Sequence, residues 1–208
     1  MAGTCLQFFG FITSFVGWIG VVLATATNDW VLTCDYSINT CRKLDELGSR
    51  GLWADCVIAI GLYHCKPLAD ILTLPAHIQA ARALMITGSL LGLPAVFLLL
   101  SSMPCIRMGH DPGTEKHKRF LLGGVLVVIL GLSAIMATIW FPVSTHKETT
   151  IVTFGYSLYA GWIGAAFCLF GGIVIVCCTG ESQAFMENRF YYSSQGSGSP
   201  THAKSANV

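Results

Sequence analysis

Four stretches of this chain carry no Asp, Glu, Lys or Arg at all: 1–28, 83–103, 120–143 and 154–180. Each can cross about 30 Å of hydrocarbon as a helix of about 20 residues. The pattern predicts four spans, at about residues 7–27, 83–103, 120–141 and 158–178. Helices of this kind pack as a left-handed four-helix transmembrane bundle. What remains is loops at 28–82, 104–119 and 142–157, and a tail at 179–208.

The first loop has a pattern of its own. In "WVLTCDYSI", Trp30, Leu32, Cys34, Tyr36 and Ile38 alternate with Thr33, Asp35 and Ser37, a period of two that reads as a strand. A second strand fits "GLWADCVIAI" and a third fits "LYHCKPL", with Gly61 turning the chain between them. After Pro67, "LADILTL" places Leu68, Ile71, Leu72 and Leu74 at helical spacing, so a short amphipathic helix is expected before the second span. The loop should be a small antiparallel sheet, not a plain connection. The third loop, "FPVSTHKETTIVTFG", reads as an interfacial turn with Phe141, Pro142 and Ile151 as its apolar candidates. From Ser193 the tail is rich in Ser, Gly, Thr and Ala without an apolar period, and disorder is expected across 179–208.

Composition agrees with a membrane protein, since 53% of the 208 residues are hydrophobic and only 11% are charged. Charge placement then orients the spans. Arg107, Lys116, Lys118 and Arg119 crowd the short loop 104–119, whereas Lys147 stands alone in the similarly short loop 142–157. A cytoplasmic 104–119 loop follows, with both termini cytoplasmic and the sheet-bearing loop extracellular. A cleaved signal peptide is the competing reading of the first span, but no Lys or Arg precedes that long apolar run. Gly88 and Gly92, Gly10 and Ser14, and Gly161 and Ala165 form small-xxx-small pairs suited to packing within the bundle, with dimerisation as the alternative. Pro94 should kink the second span. No ionisable side chain lies within the spans, which argues against a translocation path through the bundle.

Candidate chemistry is sparse. No membrane-embedded nucleophile, base or metal cluster stands out, and His110, His117 and His146 sit in solvated loops, so an enzyme is not expected, nor a cofactor. No basic stripe supports nucleic-acid binding. Cysteine carries more information. Cys34, Cys41, Cys56 and Cys65 share the first loop and allow three pairings; local spacing favours Cys56 with Cys65, and Cys34 with Cys41 as a second pair. A zinc site built from Cys56, Cys65 and His64 is the rival, though its spacing fits no short metal-ligand signature. Cys105, Cys177 and Cys178 close spans at the cytoplasmic side, where palmitoylation competes with a plain helix end.

Trp30, then Gly51-Leu52-Trp53, Cys56 and Cys65, resemble the W, GLW, C, C signature of the claudin family of tetraspan tight-junction proteins, and "QAARALM" with Arg82 resembles that family's entry into its second span. The likeness covers the four spans and both outer loops. "TNDWVLTC", "CRKLDELGS", "HCKPLADIL" and "ENRFYY" resemble more narrowly a branch found in myelin and Sertoli-cell junctions.

The resemblance implies a plasma-membrane protein at tight junctions that polymerises with itself in cis and trans, and with other claudins, to seal the space between cells. Membrane lipids would surround its spans. Trp30 and Trp53 would seat the sheet on the bundle, although both also suit simple interfacial anchors. Arg82 would partner polar groups at the mouth of the second span. Lys66, the residue after the second signature cysteine, occupies the position where the family tunes charge selectivity, which implies a cation-restricting barrier. Against this, residues 28–80 hold four cations and six anions, a net charge of −2. Position outweighs the sum, because charges more than about 8 Å from an ion path are screened. Ile71 matches the family's lateral cis contact, with burial against its own sheet as the alternative. Asn207 and Val208 end the chain in a form that PDZ scaffolds of the zonula occludens type capture, though Ala206 lacks the usual hydroxyl. A superfamily auxiliary or adhesion protein, which regulates a membrane partner without building a barrier, shares the same signature.

Overall fold

Helices Ala2–Ala26 (α1), Ala76–Ser102 (α2), Gly113–Glu148 (α3) and Tyr156–Gly196 (α4) dominate the computed structural model, which describes residues 2–34, 47–59, 62–70, 74–103, 113–148 and 150–196. All four are long and apolar enough to cross a membrane, over Cys5–Ala26, Ala76–Ser102, Lys116–Lys147 and Tyr156–Thr179. Their outward faces are apolar too: Phe8, Leu90, Phe97, Leu132 and Ile163 are all more than half exposed. Such surface requires a lipid solvent rather than water. Because hydrocarbon offers the backbone no hydrogen bonds, the spans must be helical.

Small residues set the helix contacts. α1 packs chiefly on α4, α2 on α3, and α3 on α4. Gly17 and Gly164 let the first pair approach so closely that a Cβ on Gly17 would lie 2.6 Å from the Gly164 carbonyl oxygen. The small-residue pairs all face neighbours within the bundle: Gly10 meets α4, Gly88 meets Ser133 of α3, Gly92 lies under the Trp18 indole, and Gly161 meets Thr138. α2 continues through Pro94 to Ser102.

Five strands form one antiparallel sheet in the order β4-β3-β2-β1-β5, comprising Val31–Cys34 (β1), Leu47–Arg50 (β2), Ala54–Ala59 (β3), Leu62–Pro67 (β4) and Thr150–Phe154 (β5). The three strands expected in the first loop are present as β1, β3 and β4, and residues 35–38 of the first lie outside the described set. β2, "LGSR", has no apolar alternation, yet it pairs on both sides, with β1 and β3. The expected face of β1 also differs. Trp30 and Val31 are both fully buried whereas Leu32 is only partly so, because Trp30 turns into the helix bundle before the strand begins.

The third loop is not a turn. α3 continues through Pro142 to Glu148, since Ala134, Thr138, Phe141 and Thr145 keep its buried face in helical register past the proline. The chain then forms β5, which pairs with β1 through a bulge at Val152. Phe141 and Pro142 are buried rather than offered outward. The second span begins at Ala76, earlier than expected. Leu68 to Asp70 are not helical, because the Leu68 amide is engaged by the Trp53 carbonyl at 2.9 Å; residues 71–73, which include Ile71, lie outside the described set. α4 runs to Gly196, so residues 179–196 are helical where disorder was expected. A helix already nucleated within the membrane extends cheaply through Glu181, Gln183, Ala184, Met186 and Arg189, all tolerant of helix.

Candidate functional site

The sheet is fastened to one end of the bundle by the residues that connect it. α1 ends at Ala26 and the chain turns through Thr27, Asn28 and Asp29, polar residues that suit a helix exit. Trp30 follows, fully buried, donating from Nε1 to the Ala24 carbonyl at 3.0 Å with its ring edge-on to Phe141 at 5.0 Å. The Gly155 amide donates to the Trp30 carbonyl at 2.8 Å and the Ser157 amide to the Asp29 carbonyl at 3.2 Å. Trp30 thereby touches α1, α3 and the residue that precedes α4, and Asp29 holds the first turn of α4.

Gly51-Leu52-Trp53 make a second attachment. Gly51 begins a tight turn, its amide donating to the Ala54 carbonyl at 3.1 Å. A Cβ on Gly51 would overlap the Asn28 backbone, so only glycine allows the two segments to touch. Leu52 is then fully buried. Trp53 donates its backbone amide to Asn28 Oδ1 at 3.0 Å and its indole Nε1 to the Thr25 carbonyl at 2.6 Å.

Arg82, in the second turn of α2, completes this arrangement. Its Nε donates to the Leu52 carbonyl at 2.5 Å, its Nη2 donates to the Leu68 carbonyl at 3.0 Å, and the guanidinium carbon lies 5.1 Å from the Trp53 ring centroid. A planar fork suits two carbonyls and an aromatic face together. Arg82 is therefore a structural clamp between helix and sheet. Asn28 and Asp29 belong to the same seat and were not singled out from sequence, and Phe141, expected in an outward turn, belongs to it as well. Asp29 Oδ1 accepts from Ser49 Oγ at 2.6 Å.

Further out, Cys56 and Cys65 are in register on β3 and β4 and are joined by a disulfide with Cα atoms 4.0 Å apart. The bond occupies both thiols, which removes the alternative zinc reading. Cys41 lies outside the described residues, as does the side chain of Cys34.

Lys66 is exposed on β4, opposite Asp55 of β3, which is itself opposite Arg50 of β2. Arg50 Nη2 and Nε both lie 3.2 Å from Asp55 Oδ2. Strand alternation puts Arg50, Asp55 and Lys66 on one face, the opposite face from Cys56 and Cys65. Two cations and one anion leave that row with one net positive charge, against the sign of the whole loop.

An apolar groove of about 790 Å³ lies beside this end, between α3, β5 and α4, with Val143, Phe154 and Trp162 in its walls and Lys147 at its edge. At the opposite end of the bundle Cys177 is exposed and Cys178 half-buried on α4. Cys105, Asn207 and Val208 lie outside the described residues.

Residues 4–175 match the PMP-22/EMP/MP20/Claudin family. Over 208 residues, covering all of both chains, this protein is 71% identical to claudin-11 of Macaca fascicularis and 69% identical to claudin-11 of Homo sapiens. It is 33% identical to claudin-1 of Mus musculus across 92% of this chain and 94% of that one.

Proposed function

This chain belongs to the PMP-22/EMP/MP20/Claudin family, and from that premise we propose that it is a structural tight-junction protein, polymerising into strands that seal the space between cells. The observation that carries this reading is a folded sheet held rigidly on four membrane-length helices by Trp30, Leu52, Trp53 and Arg82. A sheet fixed in orientation at the membrane surface can meet a like sheet on the next cell, and its outer strands β4 and β5 offer edges for lateral association. The protein sits in the plasma membrane with the sheet outside and both termini in the cytoplasm, in barriers such as those of myelin and Sertoli cells. It is not an enzyme.

The barrier restricts cations, with Lys66 as the selectivity residue. A cation about 5 Å from its ammonium meets roughly 3 kcal/mol at an effective dielectric near 20, and a third of that already disfavours cations several-fold. The net positive row around Lys66 supports this assignment over the negative sum of the loop. Ile71 supplies the lateral contact to a neighbouring copy or another claudin. Cys105, Cys177 and Cys178 take palmitate, and Asn207-Val208 engage PDZ scaffolds of the zonula occludens type.

Sodium-to-chloride permeability across epithelial monolayers expressing the protein tests the reading. Lys66→Asp should raise relative sodium permeability, and an unchanged ratio would remove Lys66 from the assignment. Strands seen by freeze-fracture in transfected fibroblasts separate a polymerising barrier protein from an auxiliary or adhesion member of the family, which would form none.

A further inference from the structure

The row that holds Lys66 contains a second cation whose effect the linear sequence hides. Arg50 and Asp55 are five residues apart in the chain, and Asp55 and Lys66 eleven; register alone makes the three neighbours on adjacent strands. Asp55 stands between two cations. Arg50 holds it from two nitrogens, Nη2 and Nε, each at 3.2 Å from the same carboxylate oxygen. The Arg50 and Asp55 side chains are 22% and 31% exposed, so the pair is partly withdrawn from water and resists screening. Lys66, by contrast, stands exposed at the edge strand. A planar guanidinium grips a carboxylate better than a mobile ammonium does, so Asp55 is matched with Arg50 and Lys66 is left to project its charge outward.

We infer that Arg50 is a selectivity-determining residue: by neutralising Asp55, it lets Lys66 set the sign of the field on this face of the sheet. The inference rests on the reading that the Lys66 face borders the ion path. Without Arg50 the row would be neutral, and the cation restriction assigned to Lys66 would weaken. Without Asp55 it would carry two positive charges. A unit charge about 6 Å from the path, in a water-like dielectric and screened at physiological salt, changes the sodium-to-chloride ratio by about three-fold, since it acts oppositely on the two ions.

Dilution potentials across monolayers expressing the full chain test this, with surface delivery measured in parallel. Arg50→Gln should shift the ratio about three-fold toward sodium, and Asp55→Asn about three-fold toward chloride. The double variant should return close to the parent. Shifts of the two single variants in the same direction, or an Arg50→Gln ratio equal to the parent's, would overturn the inference. Should Arg50→Gln fail to reach the surface, the double variant carries the test, because removing both partners leaves no charge unpaired. A double variant matching Asp55→Asn alone would show that Arg50 has no electrostatic effect and overturn the inference. Lys66→Gln separates the two levels. No shift there sinks the parent reading, whereas a shift there with none at Arg50→Gln sinks only the inference.

Discussion

Replacing Arg82 with Gln should loosen the sheet from the bundle without disturbing the spans. Arg82 makes two charge-assisted hydrogen bonds, to the Leu52 carbonyl at 2.5 Å and the Leu68 carbonyl at 3.0 Å. Bonds of this kind contribute about 1.5–3 kcal/mol each. The guanidinium over the Trp53 ring adds about 0.5–2 kcal/mol. Part of that total offsets the cost of withdrawing the charge from water, and a glutamine amide can still serve one carbonyl. A net loss of about 3 kcal/mol remains. By the scaling of soluble domains of similar length, that lowers the unfolding midpoint by about 6–12 °C. Lys keeps the charge but cannot fork to both carbonyls, so Arg82→Lys should lie between the parent and Arg82→Gln. Tryptophan emission of the purified full chain in detergent, recorded on heating, reports the change because Trp53 lies against the guanidinium. If Arg82→Gln melts within about 1 °C of the parent, the clamp does not hold the sheet.

Three other changes test the scaffold. Cys56→Ser opens a cross-link between residues nine apart and should cost about 2–3 kcal/mol by the loop-closure estimate, read as a lower melting midpoint alongside slower non-reducing gel mobility. Trp30→Phe keeps a ring beside Phe141 but leaves the Ala24 carbonyl without its donor, so a loss of about 1 kcal/mol is expected, while Trp30→Ala should lose about 3–5 kcal/mol and fail to mature to the cell surface. Gly17→Val forces α1 away from α4 and should reduce surface delivery more than Gly20→Ala, whose added Cβ would lie 3.0 Å from the Gly164 Cα; equal delivery of the two would refute the close-packed seam.

Much of the architecture was legible because it is local. The four spans could be drawn from charge-free runs, and strands were expected in "WVLTCDYSI" from its alternation and in "GLWADCVIAI" and "LYHCKPL" around the turn at Gly61. Span ends were less legible. α3 passes Pro142 and α4 passes Cys178, because packing and helix propagation decide where a helix stops, while hydropathy reports only where the chain leaves hydrocarbon. β2, "LGSR", carried no strand signal, while the β-branched and aromatic run "TIVTF" of β5 is one that the reading of a turn passed over. Each exists because a partner strand is held in position to satisfy its backbone groups, and that partner is remote in sequence.

At the site, "GLW" and the paired cysteines were recognisable as a signature whose resemblance implied that they seat and fasten the sheet, while the groups they bond to were not legible. Asn28 and Asp29 looked like ordinary turn residues until the Trp53 amide and the Ser49 hydroxyl were found bonded to them. The sequence by itself determined a four-span membrane protein with a cysteine-fastened sheet, because backbone groups in lipid have no choice but a helix and alternation dictates which residues share a strand face. Only the tertiary structure decided that Arg82 reaches the Leu52 and Leu68 carbonyls and that Arg50 cancels Asp55 beside Lys66. Both depend on strand register and on how the sheet meets the helix ends, and neither quantity is stored in any one segment of the chain.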